Sequence, residues 1–126
     1  MEMASRLRQV EEAPLPWLVA EQSGAIAGYA YATPWKPRRG YRFSAEVTVY
    51  VESGGQRRGV GSALYEHLLP AVRARGIHAA MGGIALPNAS SVALHEKFGF
   101  EKVAHFRETG FKLGRWIDVG YWEKIL

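Results

Sequence analysis

Apolar and polar positions along the chain follow two periods. Residues 17–21 and 26–32 carry aromatic and small apolar side chains in strand-like runs, and Gln22-Ser23-Gly24-Ala25 between them reads as a hairpin turn. Proline and glycine make residues 33–40 a basic loop, and residues 41–51 a third strand ending in Glu46-Val47-Thr48-Val49-Tyr50-Val51. From Val60 the period changes. Leu64, Leu68 and Val72 recur at helical spacing, Tyr65 and Leu69 widen the stripe, and Gly76 ends it. Pro70 interrupts this pattern at a cost of ~3 kcal/mol for an interior helical proline, which predicts a kink or break around residues 68–70. Residues 77–86 then read as an apolar, glycine-containing strand, 89–98 as a short helix stopped by Gly99, and 101–111 and 116–125 as two closing strands. At the front, Leu7 and Val10 predict a short helix over residues 2–12, ended before Pro14 and Pro16. The order ββ-β-α-β-α-β-β gives an α/β sandwich with no repeat, linker or low-complexity tract.

Length and composition narrow the class. The 126 residues, 48% hydrophobic, suffice for one packed domain spanning 1–126 and one site. The absence of cysteine excludes disulfides, thiolate nucleophiles and cysteine-ligated metal centres, and suits the cytoplasm. No apolar run is long enough to cross a bilayer, and the first residues lack the apolar core of a signal peptide, so no membrane partner is expected. The net charge of +4 is carried by small clusters: Lys36/Arg38/Arg39/Arg42, Arg57/Arg58, Arg73/Arg75 and Lys112/Arg115. Apolar elements separate them, which favours small anionic ligands over nucleic acid.

The segment Gln56-Arg57-Arg58-Gly59-Val60-Gly61-Ser62 carries the most chemistry, because a strand passing through glycines into a helix start gathers unpaired N–H groups at the positive end of the helix dipole. A tight turn before any helix uses the same residue types. A P-loop needs Gly-Lys-Ser/Thr, and Gly61-Ser62-Ala63 has no lysine; a dinucleotide fingerprint needs glycine where Leu64 stands.

The Gln/Arg-x-x-Gly-x-Gly turn after a Val-x-Val strand resembles the acyl-CoA site of the GNAT N-acetyltransferase superfamily. Glu46 to Val51, Gln56 to Gly61, Asn88-Ala89-Ser90-Ser91-Val92-Ala93-Leu94-His95-Glu96-Lys97-Phe98-Gly99-Phe100 and Phe111-Lys112-Leu113-Gly114-Arg115-Trp116-Ile117-Asp118 together resemble its phosphinothricin/methionine sulfoximine acetyltransferase branch. The resemblance implies a mixed, mostly antiparallel sheet flanked by helices, N-terminally short, since members of this branch usually carry a strand and a longer helical segment further forward. It implies direct transfer of acetyl from acetyl-CoA to the primary amine of a small amino-acid-like substrate, no metal, and a homodimer, with Tyr121 and Trp122 as interface candidates.

Residue by residue, the resemblance makes Glu46 the general base; by chemistry alone it reads sooner as an ordinary strand glutamate paired with an arginine. His95 stands where many members carry a tyrosine that protonates the departing thiolate, and is otherwise a packing residue. The backbone N–H groups of Val49 and Val51 are expected at the oxyanion and pantetheine, freed by a bulge or splay, and Gln56, Arg57, Arg58, Gly59, Val60, Gly61 and Ser62 at the pyrophosphate. Asn88, with Ser91, would meet the cofactor arm or cap a helix, and Lys97 would lie near a CoA phosphate. Tyr41, Arg42, Lys112 and Trp116 are expected to bind the acceptor's acidic groups. The competing readings are a relative acting on another amine, and a CoA-binding module or fragment without catalysis.

Overall fold

The computed structural model describes residues 6–10, 13–52 and 59–126. Seven strands form one sheet in the order β1-β2-β3-β4-β5-β7-β6, with β1 Arg6–Gln9, β2 Trp17–Gln22, β3 Ala25–Pro34, β4 Ser44–Val51, β5 Ala79–Leu86, β6 Glu101–Lys112 and β7 Arg115–Ile125. Two α-helices, α1 Val60–Ala74 and α2 Ala89–Lys97, and a single 3₁₀ turn at Arg39–Tyr41 complete the described fold. Every strand pair is antiparallel except β4 with β5.

Local sequence explains most turns. Ser23 and Gly24 both take positive φ (51° and 79°) in the β2–β3 hairpin, and Leu113 and Gly114 (53° and 75°) do so between β6 and β7. These are the left-handed conformations a two-residue hairpin turn demands, and glycine meets the second at no steric cost. β6 bulges between Phe106 and Gly110, where the Asp118 carboxylate accepts from the Glu108 N–H at 2.9 Å and from His105 Nε2 at 2.8 Å.

Two expectations are corrected. The described part of the front segment is an edge strand, not a helix: β1 pairs with β2, Leu7 packs on the core, and Arg6 and Arg8 alternate with it to reach Glu21 at 3.6 and 3.2 Å. Residues 2–5 and 11–12 of the expected helix lie outside the described residues. Leu7 and Val10 fit a helical stripe, yet so short a helix is marginal on its own, and pairing with β2 satisfies the same backbone groups. Nor does Pro70 break α1, which runs unbroken from Val60 to Ala74 with the proline inside it. Pro70 and the preceding turn's Glu66 are exposed, so water can take the place of the lost backbone donor.

Both helices pack on one side of the sheet. Leu64, Leu68 and Val72 of α1 meet Leu18, Ala20, Ala30, Ala32 and Val47, whose small side chains let the helix approach closely. α2 joins them through His95, which lies against Gly82 and Tyr65. The opposite face carries no helix among the described residues. It bears an aromatic row in which Trp17 stacks on Tyr31 at 4.2 Å and Tyr29 on Tyr50 at 5.3 Å, and it also carries Glu46, Met81 and Tyr121.

Candidate active site

The site forms where the sheet comes apart. β4 and β5 pair only from Ser44 with Ala79 to Glu46 with Met81, then each runs on alone, to Val51 and Leu86. The Glu52 N–H donates to Ala27 C=O at 2.8 Å and the Ser44 C=O accepts from Trp35 N–H at 3.2 Å, so even-numbered backbone groups of β4 point to β3. Strand alternation then turns the amides of Val47, Val49 and Val51 toward β5. Past Glu46 they face the gap between the strands.

A cleft of about 500 Å³ occupies this gap. Its walls are Val49 to Val51, then Gly59, Gly61 and Ser62 at the start of α1, and Asn88, Ser90, Ser91, Ala93, Leu94 and Lys97 along α2. Gly59 takes φ 75° at the N-cap, no side chain caps this end, and the first backbone bond of α1 is Ala63 N–H to Gly59 C=O at 3.0 Å. The N–H groups of Val60, Gly61 and Ser62 therefore precede the helix's own ladder, where an anion is favoured. A side chain on Gly61 would stand 3.1 Å from Leu94 Cδ2 and 3.4 Å from Val51 Cγ2, so glycine keeps this throat narrow but open. Val60 is buried, packs toward Gly28 and does not line the cleft.

Asn88 is the N-cap of α2: its Oδ1 accepts from Ser91 N–H at 3.1 Å and Ser90 Oγ–H at 3.3 Å. Its amide NH₂ sits on the cleft lining and can donate there. Lys97 Nζ donates to Ser62 Oγ at 2.8 Å, tying α2 to the first turn of α1 and placing a cation over the cleft. Gln56, Arg57 and Arg58 lie outside the described residues.

Glu46 sits half-buried at the closed end of the splay, on the helix-free face. Burial pushes its carboxyl above the usual carboxylate range, while the Lys36 cation and a hydrogen bond with Tyr121 pull it part of the way back. Such a group is a better proton acceptor than an ordinary surface glutamate. Lys36 also lines a second hollow of about 360 Å³ with Trp35, Pro37, Arg38 and Tyr41. The structure thus gathers Glu46, Lys36 and Tyr41 in one neighbourhood. Lys36 and Arg38 were read only as part of a basic loop; their signal was proximity in sequence to Tyr41 and Glu46.

His95 lies elsewhere than expected of a proton donor in the cleft. It is 3% exposed, donates from Nδ1 to Ser91 C=O at 2.8 Å, and meets the Tyr65 hydroxyl at Nε2, 2.9 Å away. Because a carbonyl only accepts, the proton is on Nδ1 and Nε2 accepts from Tyr65. Burial holds its pKa below the ordinary histidine value, so the ring stays neutral. Arg42 turns onto its own loop, Nη1 donating to Arg39 C=O at 2.9 Å with the guanidinium over Phe43. Lys112 and Trp116 stand at the far tip of the β6–β7 hairpin, and Trp116 is five residues from Tyr121 along β7, roughly 17 Å. They do not join Glu46 within this chain. Trp122 is corrected as an interface residue: it is 2% exposed and its indole N–H donates to Glu96 at 3.0 Å.

An acetyltransferase (GNAT) domain profile matches residues 1–120. The chain belongs to the GNAT acetyltransferase family. It is 49% identical over 109 residues to the phosphinothricin N-acetyltransferase of Streptomyces viridochromogenes, an alignment covering 86% of this chain and 60% of that protein. It is 37% identical to the L-methionine sulfoximine/L-methionine sulfone acetyltransferase of Salmonella typhimurium, over 84% of this chain and 62% of the relative. The crystal structure of a GNAT superfamily phosphinothricin acetyltransferase from Sinorhizobium meliloti in complex with AcCoA superposes with a TM-score of 0.83 at 37% identity, covering 88% of this chain and 60% of that one. The chain spans about 60% of the length of these relatives. A GNAT fold with a mixed, mostly antiparallel sheet is what the sequence implied.

Proposed function

We propose that this chain is an acetyl-CoA-dependent N-acetyltransferase that acts by direct transfer on the primary amine of a small amino-acid-like acceptor of the phosphinothricin/methionine sulfoximine type. The observation that carries the reading is the parting of β4 from β5 immediately after Glu46, which leaves the Val49 and Val51 amides facing a cleft headed by two helix N-termini. The names of the two relatives above support the acceptor class.

The residues fit the cofactor. The amides of Gly59 to Ser62 and the Lys97 cation suit its pyrophosphate, Asn88 and Ser91 its amide arm, and the Val49 and Val51 N–H groups its thioester oxygen. When bound, acetyl-CoA supplies the acetyl thioester. Glu46 takes the ammonium proton, directly or through water, and holds the amine at the closed end of the splay. Lys36 and Arg38, with Tyr41 as a wall, face the acceptor's acidic group. With both nitrogens engaged, His95 fixes the packing of α2 on α1 in this reading and does not donate to the thiolate. No residue of the chain offers an acyl-thiol intermediate, since cysteine is absent.

A cytoplasmic site of action and a homodimer belong to the same proposal. The exposed Phe111, Leu113 and Trp116 at the β6–β7 tip are the surface that a second copy would cover. The rival reading is a CoA-binding module without catalysis, favoured by the helix-free face around Glu46. A thiol-release assay with acetyl-CoA against glufosinate, methionine sulfoximine, methionine sulfone and a polyamine separates them. Release with the first three supports the enzyme; binding of acetyl-CoA with no release by any acceptor supports the module.

A further inference from the structure

Tyr121 is the side chain that the sheet places most deliberately beside Glu46. Glu46 pairs with Met81 of β5, Gly83 follows on the same face, and Tyr121 of β7 pairs with Gly83. A β-carbon on Gly83 would stand 3.0 Å from the Tyr121 ring, a tighter contact than nearly all real side chains make, so the ring lies closely over a position of β5 that carries no side chain on this face. Trp35 meets the ring edge-on at 5.6 Å and Phe106 at 6.1 Å. Held on three sides, the phenol stands beside the Glu46 carboxylate, near enough for each group to shift the other's titration.

We propose that Tyr121, seated on Gly83, is the positioning residue of Glu46: its O–H engages one carboxylate oxygen and leaves the other turned to the acceptor amine. This rests on Glu46 being the base. A glutamate carboxylate on three rotatable bonds loses its aim unless a second contact fixes it, and general-base efficiency depends on that aim. Among the described residues, the charged and titratable groups that face Glu46 are Lys36, from the β3–β4 connection, and Tyr121. The next carboxylate on this face of the sheet is Glu123, opposite Met81. The neighbouring carboxylate in turn raises the phenol's pKa, after burial. Each group therefore reports on the other.

The test compares Y121F, G83A and E46Q with the unchanged chain. In Y121F, kcat falls by about tenfold, KM for acetyl-CoA holds, and the acidic limb of kcat/KM moves to higher pH, because the hydrogen bond that favoured the carboxylate is gone. G83A, whose added methyl makes the ring give way by a few tenths of an ångström, moves the limb in the same direction by a smaller step. Independently of turnover, ¹³Cζ NMR of the tyrosines, with Tyr121 assigned by its loss in Y121F, shows the phenol ionising at lower pH in E46Q. An inactive E46Q beside a Y121F with unchanged kcat and unmoved acidic limb overturns the role of Tyr121 alone. An active E46Q refutes Glu46 as the base, and the proposal with it.

Discussion

Glu46 holds its place by register, since it is the last residue of β4 paired with β5, and this single fact sets both its half-burial and its position at the closed end of the splay. Glu46→Gln removes the proton acceptor with little change of shape, so turnover falls by about 10²-fold or more while acetyl-CoA affinity, measured by calorimetry, is kept. Lys36→Met removes the cation that stabilises the ionised carboxyl; the acidic limb of the rate profile then moves upward in pH, and an unmoved limb places Lys36 elsewhere. His95 makes its own prediction. Its folded pKa is depressed below 6.5, so the unfolded chain binds the proton first as pH falls; stability is full above about 6.5 and declines below it. Thermal melts of the wild type and His95→Gln across pH 5 to 8 check this, the variant losing the acid-side decline. The sequence pointed to Glu46 only through resemblance, and could not distinguish a buried histidine from an exposed one, because the neighbours that decide the matter, Tyr65 and Gly82, lie 30 and 13 residues away.

At the scale of elements, periodicity was informative wherever a segment was long. β2, β3, β5, β7 and α1 fall where alternation and the Leu64/Leu68/Val72 stripe put them, and the two hairpin turns follow from their glycines. Short or contradictory signals misled: β1 offers four residues to two possible periods and takes its conformation from β2, while Pro70 breaks no helix that is anchored by Leu68, Leu69 and Val72 in the core. Pro70→Ala restores a backbone bond on an exposed turn and raises stability by up to about 3 kcal/mol, read from urea unfolding; a loss of stability would show that the proline is accommodated without cost. Two adjacent glycines in β5 carry more than the strand pattern disclosed. Gly82 admits His95 on the helix side and Gly83 admits Tyr121 on the other, so one pair of missing side chains shapes both faces of the sheet.

For the whole molecule, the architecture divides labour between the two faces. Helices cover one, and their N-termini meet the gap between β4 and β5; the other bears Glu46, Tyr121 and the aromatic row from Trp17 to Tyr50. No described helix is long and apolar enough to cross a membrane. Lys97 stands as a cation over the cleft, which makes uptake of a multiply charged ligand sensitive to salt. Isothermal titration of acetyl-CoA into the folded chain decides whether the splay is a cofactor site. One equivalent binds, with affinity falling as sodium chloride is raised; folded protein that takes up neither acetyl-CoA nor CoA would contradict the assignment.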